Sequence, residues 1–307
     1  MSALRKWAWR IFGGIAGVVL LGTVIVFVLS QLRISRSYAV PDEPVAIPSD
    51  AAAIARGEHL ATIGRCIDCH SPSLAGRMLY ESAMIGRFLA PNLTRGNGGA
   101  AARFTDRDWI RAIRHGVRPD GTPLFVMPAD ESYPLSDADL GFLIAYLKSV
   151  PAVDNELPAS TISPIGRLAI TLMPEIRILS AEWIDHLAPR PAAPERGVTP
   201  EYGKYLAVKC IGCHGPNLSG GKIPGTPPDW PPALNLTPYP GAALAQWSEA
   251  EFDQAMRLGI TPRGNTMNNK YMPWKVIGQM SDDERRALWL YLKSLPPAPY
   301  GSRSSGR

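Results

Sequence analysis

The stretch CIDCH at residues 66–70 recurs as CIGCH at 210–214, and once the two are superposed the chain falls into register over about a hundred residues of each copy. RGEHLA at 56–61 answers YGKYLA at 202–207, SLAG at 73–76 answers NLSG at 217–220, and APNLT at 90–94 answers ALNLT at 233–237. A duplication of that length demands two copies of one fold, and 307 residues are enough for two domains that each bury a core.

The repeat continues into helices. FTDRDWIRAIRHG at 104–116 and WSEAEFDQAMRLG at 247–259 each open with a capping box, Thr105 with Asp108 and Ser248 with Glu251. Each closes on a glycine, Gly116 or Gly259, as a helix C-terminus does. A second capped helix ends each copy, at 136–149 and 281–294, with Leu140, Leu143, Ile144 and Leu147, or Leu288, Trp289 and Leu292, at helical spacing for a core. Strand signals are scarce, and most of the 30 prolines and 28 glycines fall between the helical stretches. The expected fold class is therefore all-α: two tandem domains with long loops, at 51–150 and 197–297.

Residues 151–196 are a proline-rich linker, in which IGRLAITL and EIRILSAEWIDHLA have apolar faces expected to pack against the two domains rather than to lie on a membrane surface. Residues 298–307, APYGSRSSGR, are expected to be a disordered tail.

Residues 11–30, IFGGIAGVVLLGTVIVFVLS, carry no charge, and twenty residues of helix rising about 1.5 Å each match a bilayer core of about 30 Å. A cleaved signal peptide would be shorter in its apolar part and would end on an A-x-A-like site. Here Ser30, Gln31 and Leu32 lead into Arg33, so residues 1–36 are expected to be an uncleaved, single-pass anchor that meets lipid through residues 11–30. Arg5, Lys6 and Arg10 suit a cytoplasmic end and Trp7 and Trp9 an interfacial belt, which puts the remainder outside the cytoplasm. The net charge of +5 arises in this segment, leaving 27 basic against 27 acidic residues in 37–307, so nucleic acid is not an expected partner.

All four cysteines belong to the two CxxCH motifs. A four-cysteine zinc site has its CxxC pairs about 15–20 residues apart, and a redox CxxC needs no histidine after it. Here the motifs are 144 residues apart and both carry the histidine, which leaves covalent haem: thioethers at Cys66, Cys69, Cys210 and Cys213, with His70 and His214 on the irons. Of the five histidines none follows His214, so the second site, if closed from downstream, must use methionine. Met127 and Met272, each followed by proline, lie 61 and 62 residues after the first cysteine of their motif and 19 before the tyrosine of the closing helix. They are the expected sixth ligands. His115 is the rival to Met127, but its counterpart in the second copy is Leu258. Met78, Met84, Met173, Met256, Met267 and Met280 are assigned to packing, and His59 and His186 to the surface or to satisfied structural positions.

With these motifs, the NLT stretches and the YLKS helices, the chain resembles the c-type cytochromes, and in particular the di-haem and multi-haem cytochrome subunits of bacterial membrane-bound dehydrogenases for alcohols and gluconate. The resemblance covers 51–150 and 197–297. It implies two cytochrome c domains, two covalently bound haem c, and a glycine of the first helix, Gly57 or Gly203, packed beside an aromatic of the last, Tyr146 or Tyr291. It implies no substrate site but a respiratory electron carrier on the periplasmic side of a bacterial inner membrane. Electrons would pass from a dehydrogenase or quinol-oxidising complex to a cytochrome or terminal oxidase. Those relatives usually have three such domains and often a C-terminal anchor, whereas this chain has two and an N-terminal one. The competing readings are a di-haem peroxidase, which needs an open iron, and a structural or sensor haem subunit.

Overall fold

The computed structural model describes residues 3–302 apart from 174, 175, 190, 191 and 228. One long helix, α1 (Ala3–Ile34), comes first, and an 18-residue apolar window within it has a mean hydropathy of 2.6 and no buried residue. It is long and apolar enough to cross a membrane.

The first repeat places α2 (Ala51–Ile63) and the short motif helix α3 (Cys66–His70) ahead of a hairpin, β1 (Arg77–Ser82) and β2 (Gly86–Ala90). Helices α4 (Asp106–His115) and α5 (Asp137–Ser149) follow. The intervening segment adds β3 (Thr161–Ile162) and α6 (Pro164–Leu172). The second repeat has α7 (Pro200–Ala207), the motif helix α8 (Ile211–His214), α9 (Ala243–Gln246), α10 (Glu249–Leu258), α11 (Trp274–Ile277) and α12 (Asp282–Ser294).

Both expected capping boxes form, Thr105 with Asp108 on α4 and Ser248 with Glu251 on α10, and Gly116 and Gly259 end those helices at φ of 65° and 70°. The fold is mostly helical as expected, with one addition. The antiparallel sheet β1-β2-β3 lay outside the helical pattern because a bulge between Met78 and Tyr80 breaks the alternation of β1 and β3 is only two residues long.

In each domain the first and last helices cross at backbone contact. A Cβ on Gly57 would lie 2.0 Å from the Phe142 carbonyl oxygen and 2.7 Å from Tyr146 Cβ; on Gly203 the distances are 2.0 Å to Ala287 O and 2.7 Å to Tyr291 Cβ. Around these crossings sit the two cores, with Leu140, Leu143, Ile144 and Leu147 in the first and Leu288, Trp289 and Leu292 in the second. Leu60 and Ile63 of α2 belong to the second core, so the two domains share apolar surface.

Polar groups seal the same junction. Arg56 on α2 reaches both closing helices, at 3.4 Å from Asp139 and 3.1 Å from Glu284. His59 bonds Glu284 at 2.7 Å, and at the equivalent position of the other repeat Tyr205 donates to Asp139 at 2.9 Å. Burial works against charge on Glu284, yet the bonds from His59, the Ser281 backbone and Arg56 hold its carboxyl down to about 2. His59 is thus an interdomain residue, in keeping with a structural role.

The intervening segment is less of a linker than its prolines suggest. Val153 O accepts from Asn92 Nδ2 at 2.8 Å and from Thr94 Oγ1 at 3.1 Å, and β3 extends the hairpin. Helix α6 packs not on a domain core but between the β1-β2 turn and the end of α1. Ile170 and Gly166 are buried, while Ile165, Leu168 and Leu172 stay exposed, which corrects the expectation that this apolar face packs against the two domains. Within the tail expected to be disordered, residues 298–302 are docked: Ala298 O accepts from Asn235 at 2.8 Å and Gly301 N donates to Ser219 O at 3.1 Å. Residues 303–307 lie outside the described residues.

Two outcomes follow. Gly203→Ala forces α7 off α12, and overpacking of this kind costs about 1–3 kcal/mol or more, measurable by denaturant unfolding of the holoprotein. Glu284 ionises at about 2 when folded against about 4.3 when unfolded, so its stabilisation of the junction is complete above the unfolded value and is lost as pH falls from about 4 towards 2. An acid titration followed by small-angle scattering should show the domains separating in that window, and Glu284→Gln should flatten the dependence.

Candidate functional site

The motif helices present the same arrangement twice. In the first, Cys66, Cys69 and His70 lie on the single turn of α3; in the second, Cys210 ends a 3-10 turn that runs straight into α8 with Cys213 and His214. Both histidines are buried at 8% exposure. His70 Nδ1 bonds Pro91 O at 2.8 Å and His214 Nδ1 bonds Leu234 O at 2.7 Å. A carbonyl only accepts, so each ring carries its proton on Nδ1 and its lone pair on Nε2, the tautomer that ligates a metal through Nε2.

Those two carbonyls are the part of the site that the motifs do not announce. Pro91 and Leu234 immediately precede the asparagines of the repeated NLT stretches, and the asparagines form a clamp. Asn92 Oδ1 accepts from Thr94 N and Asn235 Oδ1 from Thr237 N, each at 2.9 Å. Their amides reach Val153 O and Ala298 O, each at 2.8 Å, just beyond the closing helix. Each NLT stretch forms a turn, and the same turn holds the histidine ring. The recurrence of the triplet about twenty residues after each motif was the available signal.

Burial pushes the Cys66 and Cys69 thiols up and that of Cys210 up to about 12. Thiols so raised are poor nucleophiles for disulfide exchange. Among the described residues no disulfide joins the four cysteines, and no group of three or more His, Cys, Asp or Glu side chains is placed to hold a metal ion. A site built for exchange or for zinc has neither the ionisation nor the ligand set seen here. Paired thiols on one turn, a buried imidazole with Nε2 as its lone-pair nitrogen, and an apolar surround that includes Cys66, Ile67 and Tyr146, or Cys210, Ile211, Met272 and Tyr291, fit a covalent haem.

Met127 and Met272 occupy equivalent backbone positions. After the cap glycine, a bridge pairs Val117 with Pro123 in one repeat and Ile260 with Thr266 in the other. The methionine carbonyl then accepts from the residue two further on, Ala129 N at 2.9 Å or Trp274 N at 2.7 Å. Between them Pro128 (φ −80°, ψ 64°) and Pro273 (φ −77°, ψ 58°) adopt one conformation. By the same register Met267 matches Leu124, since each donates its N–H to the cap glycine's carbonyl. Met256 and Met280 are buried in the second core as expected, whereas Met78, Met84 and Met173 are 38%, 61% and 44% exposed, against the packing role assigned to them.

The two centres differ in what supports the methionine loop. In the first domain Ser180, from the intervening segment, donates to Met127 O at 2.5 Å. In the second, Trp274 Nε1 donates to Met267 O at 2.9 Å. His115 is wholly buried and engaged elsewhere: its Nδ1 meets His186 Nδ1 at 2.9 Å, its ring faces Glu43, and burial lowers it to about 4.

The motifs adjoin one interdomain seam. Lys209, just before Cys210, donates to Ser132 Oγ of the first domain at 3.1 Å. A Cβ on Gly212 would lie 2.3 Å from Glu131 Oε1. Burial raises Glu131 and lowers Lys209, each against the pull of the other.

Such a pair of sites on such a pair of helical repeats defines a tandem c-type cytochrome. Residues 200–296 match the family model "Cytochrome c" and residues 52–147 the model "Cytochrome C oxidase, cbb3-type, subunit III". The chain is accordingly a protein of two cytochrome c domains that carries two covalently bound haem c. It is similar to the cytochrome c subunit of the quinone alcohol dehydrogenase of Gluconacetobacter polyoxogenes, 27% identical over 284 residues that cover 82% of this chain and 58% of the relative. It is also similar to the fructose dehydrogenase cytochrome subunit of Gluconobacter japonicus, 25% identical over 84% of this chain and 56% of the relative. A diheme cytochrome c-type protein of Cereibacter sphaeroides is 24% identical over 90% of this chain and 97% of its own length. The chain thus spans little more than half the length of these alcohol and fructose dehydrogenase subunits.

The haem count is measurable. The pyridine haemochrome of the purified protein should give two haems per chain, both retained through denaturation and acid-acetone extraction; one haem per chain would contradict the pairing of the motifs.

Proposed function

We propose that the chain is a membrane-anchored electron carrier, not an enzyme, with both haem domains on the periplasmic side of a bacterial inner membrane. It takes electrons from a dehydrogenase or quinol-oxidising complex and delivers them to a cytochrome or terminal oxidase. Thioethers at Cys66, Cys69, Cys210 and Cys213 hold the haems, which supply the ferrous/ferric couple. His70 and His214, through Nε2, and Met127 and Met272 would be the residues that ligate the irons.

The observation that carries this reading is the shared Met-Pro conformation at Met127 and Met272, reached from the same bridge and cap in both repeats. Methionine opposite histidine raises the potential and leaves no position for a reactant, which suits outer-sphere transfer and disfavours peroxide chemistry. The carbonyls of Pro91 and Leu234 keep each imidazole in one tautomer and orientation, so neither ligand reorganises when the charge changes. The shared seam at Glu131 and Lys209 brings the two motif helices to one junction and supports transfer between the domains. The relatives named as dehydrogenase cytochrome subunits support the choice of donor, and the exposed apolar span of α1 supports the anchor.

Met272→Ala removes the soft thioether that favours ferrous iron, so the second haem's potential falls and its iron opens. Carbon monoxide should bind one reduced haem of this variant and neither haem of the parent, while Met267→Ala leaves both closed. A parent protein that already binds carbon monoxide would overturn the carrier reading in favour of an open-iron enzyme.

A further inference from the structure

Helix α6 has two faces. Gly166 and Ile170 are buried, Gly166 beneath the Ile85 carbonyl at the hairpin turn. On the other side Ile165, Leu168 and Leu172 form one stripe, exposed to 49%, 42% and 68%, and Met173 continues it at 44%. Apolar residues at i, i+3 and i+7 that face outward are the reverse of what a domain surface favours. Two further exposed apolar groups sit on elements bonded to this corner. Met84, 61% exposed, caps the β1-β2 turn, and its carbonyl accepts from Ser163 Oγ, the N-cap of α6. Trp183, 46% exposed, follows Glu182, which pairs with Arg33 of α1, and Arg33 also donates to Ile170 O.

The contacts of α6 with α1 say what covers this stripe. Arg167 donates to Ser30 Oγ and Gln31 Oε1, each at 3.0 Å, and its guanidinium lies 4.6 Å from the centre of the Phe27 ring. Phe27 and Ser30 belong to the last turns of the apolar span. A helix that touches the final turn of a membrane span stands where hydrocarbon gives way to headgroups. There a guanidinium is solvated while its neighbouring apolar stripe is covered by acyl chain.

We propose that α6, with the β1-β2 turn and Trp183, is a second membrane contact: an interfacial helix whose stripe Ile165-Leu168-Leu172-Met173 lies in the lipid surface beside the anchor. The anchor holds the protein to the bilayer, and α6 sets its attitude there. Because α6 is joined to the first domain through β3 and the hairpin, that domain has a defined orientation to the membrane instead of swinging on the chain after Ile34. The proposal rests on the anchor reading of α1, and labelling within residues 11–30 reports on that reading separately.

The test uses the full-length, haem-loaded protein in phosphatidylcholine vesicles containing a phosphatidylcholine with a diazirine near the glycerol end of one acyl chain. After irradiation, peptide mass spectrometry should find lipid adducts within residues 164–173 and at Met84 as well as within 11–30. The double variant Leu168→Asp, Leu172→Asp should lose the adducts at 164–173 while keeping those in 11–30 and two haems per chain. Adducts confined to 11–30 in the parent would overturn the proposal, because the stripe would then be facing water. So would cross-linking of 164–173 to a protein and not to lipid in native membranes, which would make the stripe a subunit contact. No adducts in 11–30 would instead remove the anchor itself.

Discussion

Everything in either domain hangs on two helices meeting at backbone distance. With Gly57 against Phe142 O and Gly203 against Ala287 O, no side chain separates first helix from last. The motif turn begins two residues after α2 ends and follows α7 directly, so its position relative to the closing helix is set by that crossing. The closing helix in turn delivers the segment that the NLT clamp holds, through Val153 or Ala298. The clamp fixes the carbonyl that fixes the histidine. One close approach therefore propagates, by short covalent and hydrogen-bonded steps, to the orientation of each motif histidine.

The two domains meet through the same helices, and the duplication shows at the junction as approximate symmetry with unlike residues. His59 on Glu284 mirrors Tyr205 on Asp139, and Arg56, where the other copy has Tyr202, reaches across to both acids. Burying charged and polar groups costs desolvation that only complete pairing offsets. Here Glu284 has partners in Arg56, His59, Tyr202 and the Ser281 backbone. Symmetry breaks at the methionine loops, one tied by Ser180 of the intervening segment and the other by its own Trp274. Two haem sites of one ancestry thus have environments that answer to different parts of the chain, and the segment that supports the first is also the one that touches α1.

Much was legible in the residues themselves. Capping boxes, cap glycines, the CxxCH turns and the spacing of Met127 and Met272 are local or repeat-encoded. Their physics lies within one or two helical turns, and duplication states each twice, so one copy checks the other. The apolar span of α1 is likewise a matter of composition and length. These features determined two helical c-type domains and the ligand candidates for two haems.

Long-range pairing decided the rest. The hairpin's alternation is broken by a bulge between Met78 and Tyr80, and β3, two residues long, forms because partners on β2 more than 70 residues away supply its hydrogen bonds. The carbonyls of Pro91 and Leu234 carry no side-chain signature at all, since any residue presents one; only the fold makes these two the partners of the histidines. The fate of Met84, Met173 and the stripe on α6 was equally hidden. An amphipathic helix announces an apolar face but not what meets it, and here its buried side turned out to be the one carrying Gly166 and Ile170, against a hairpin turn and the end of α1. Sequence determined which residues are apolar and which can bind iron; tertiary structure decided which of them see protein, because that choice depends on contacts between segments that no local pattern records.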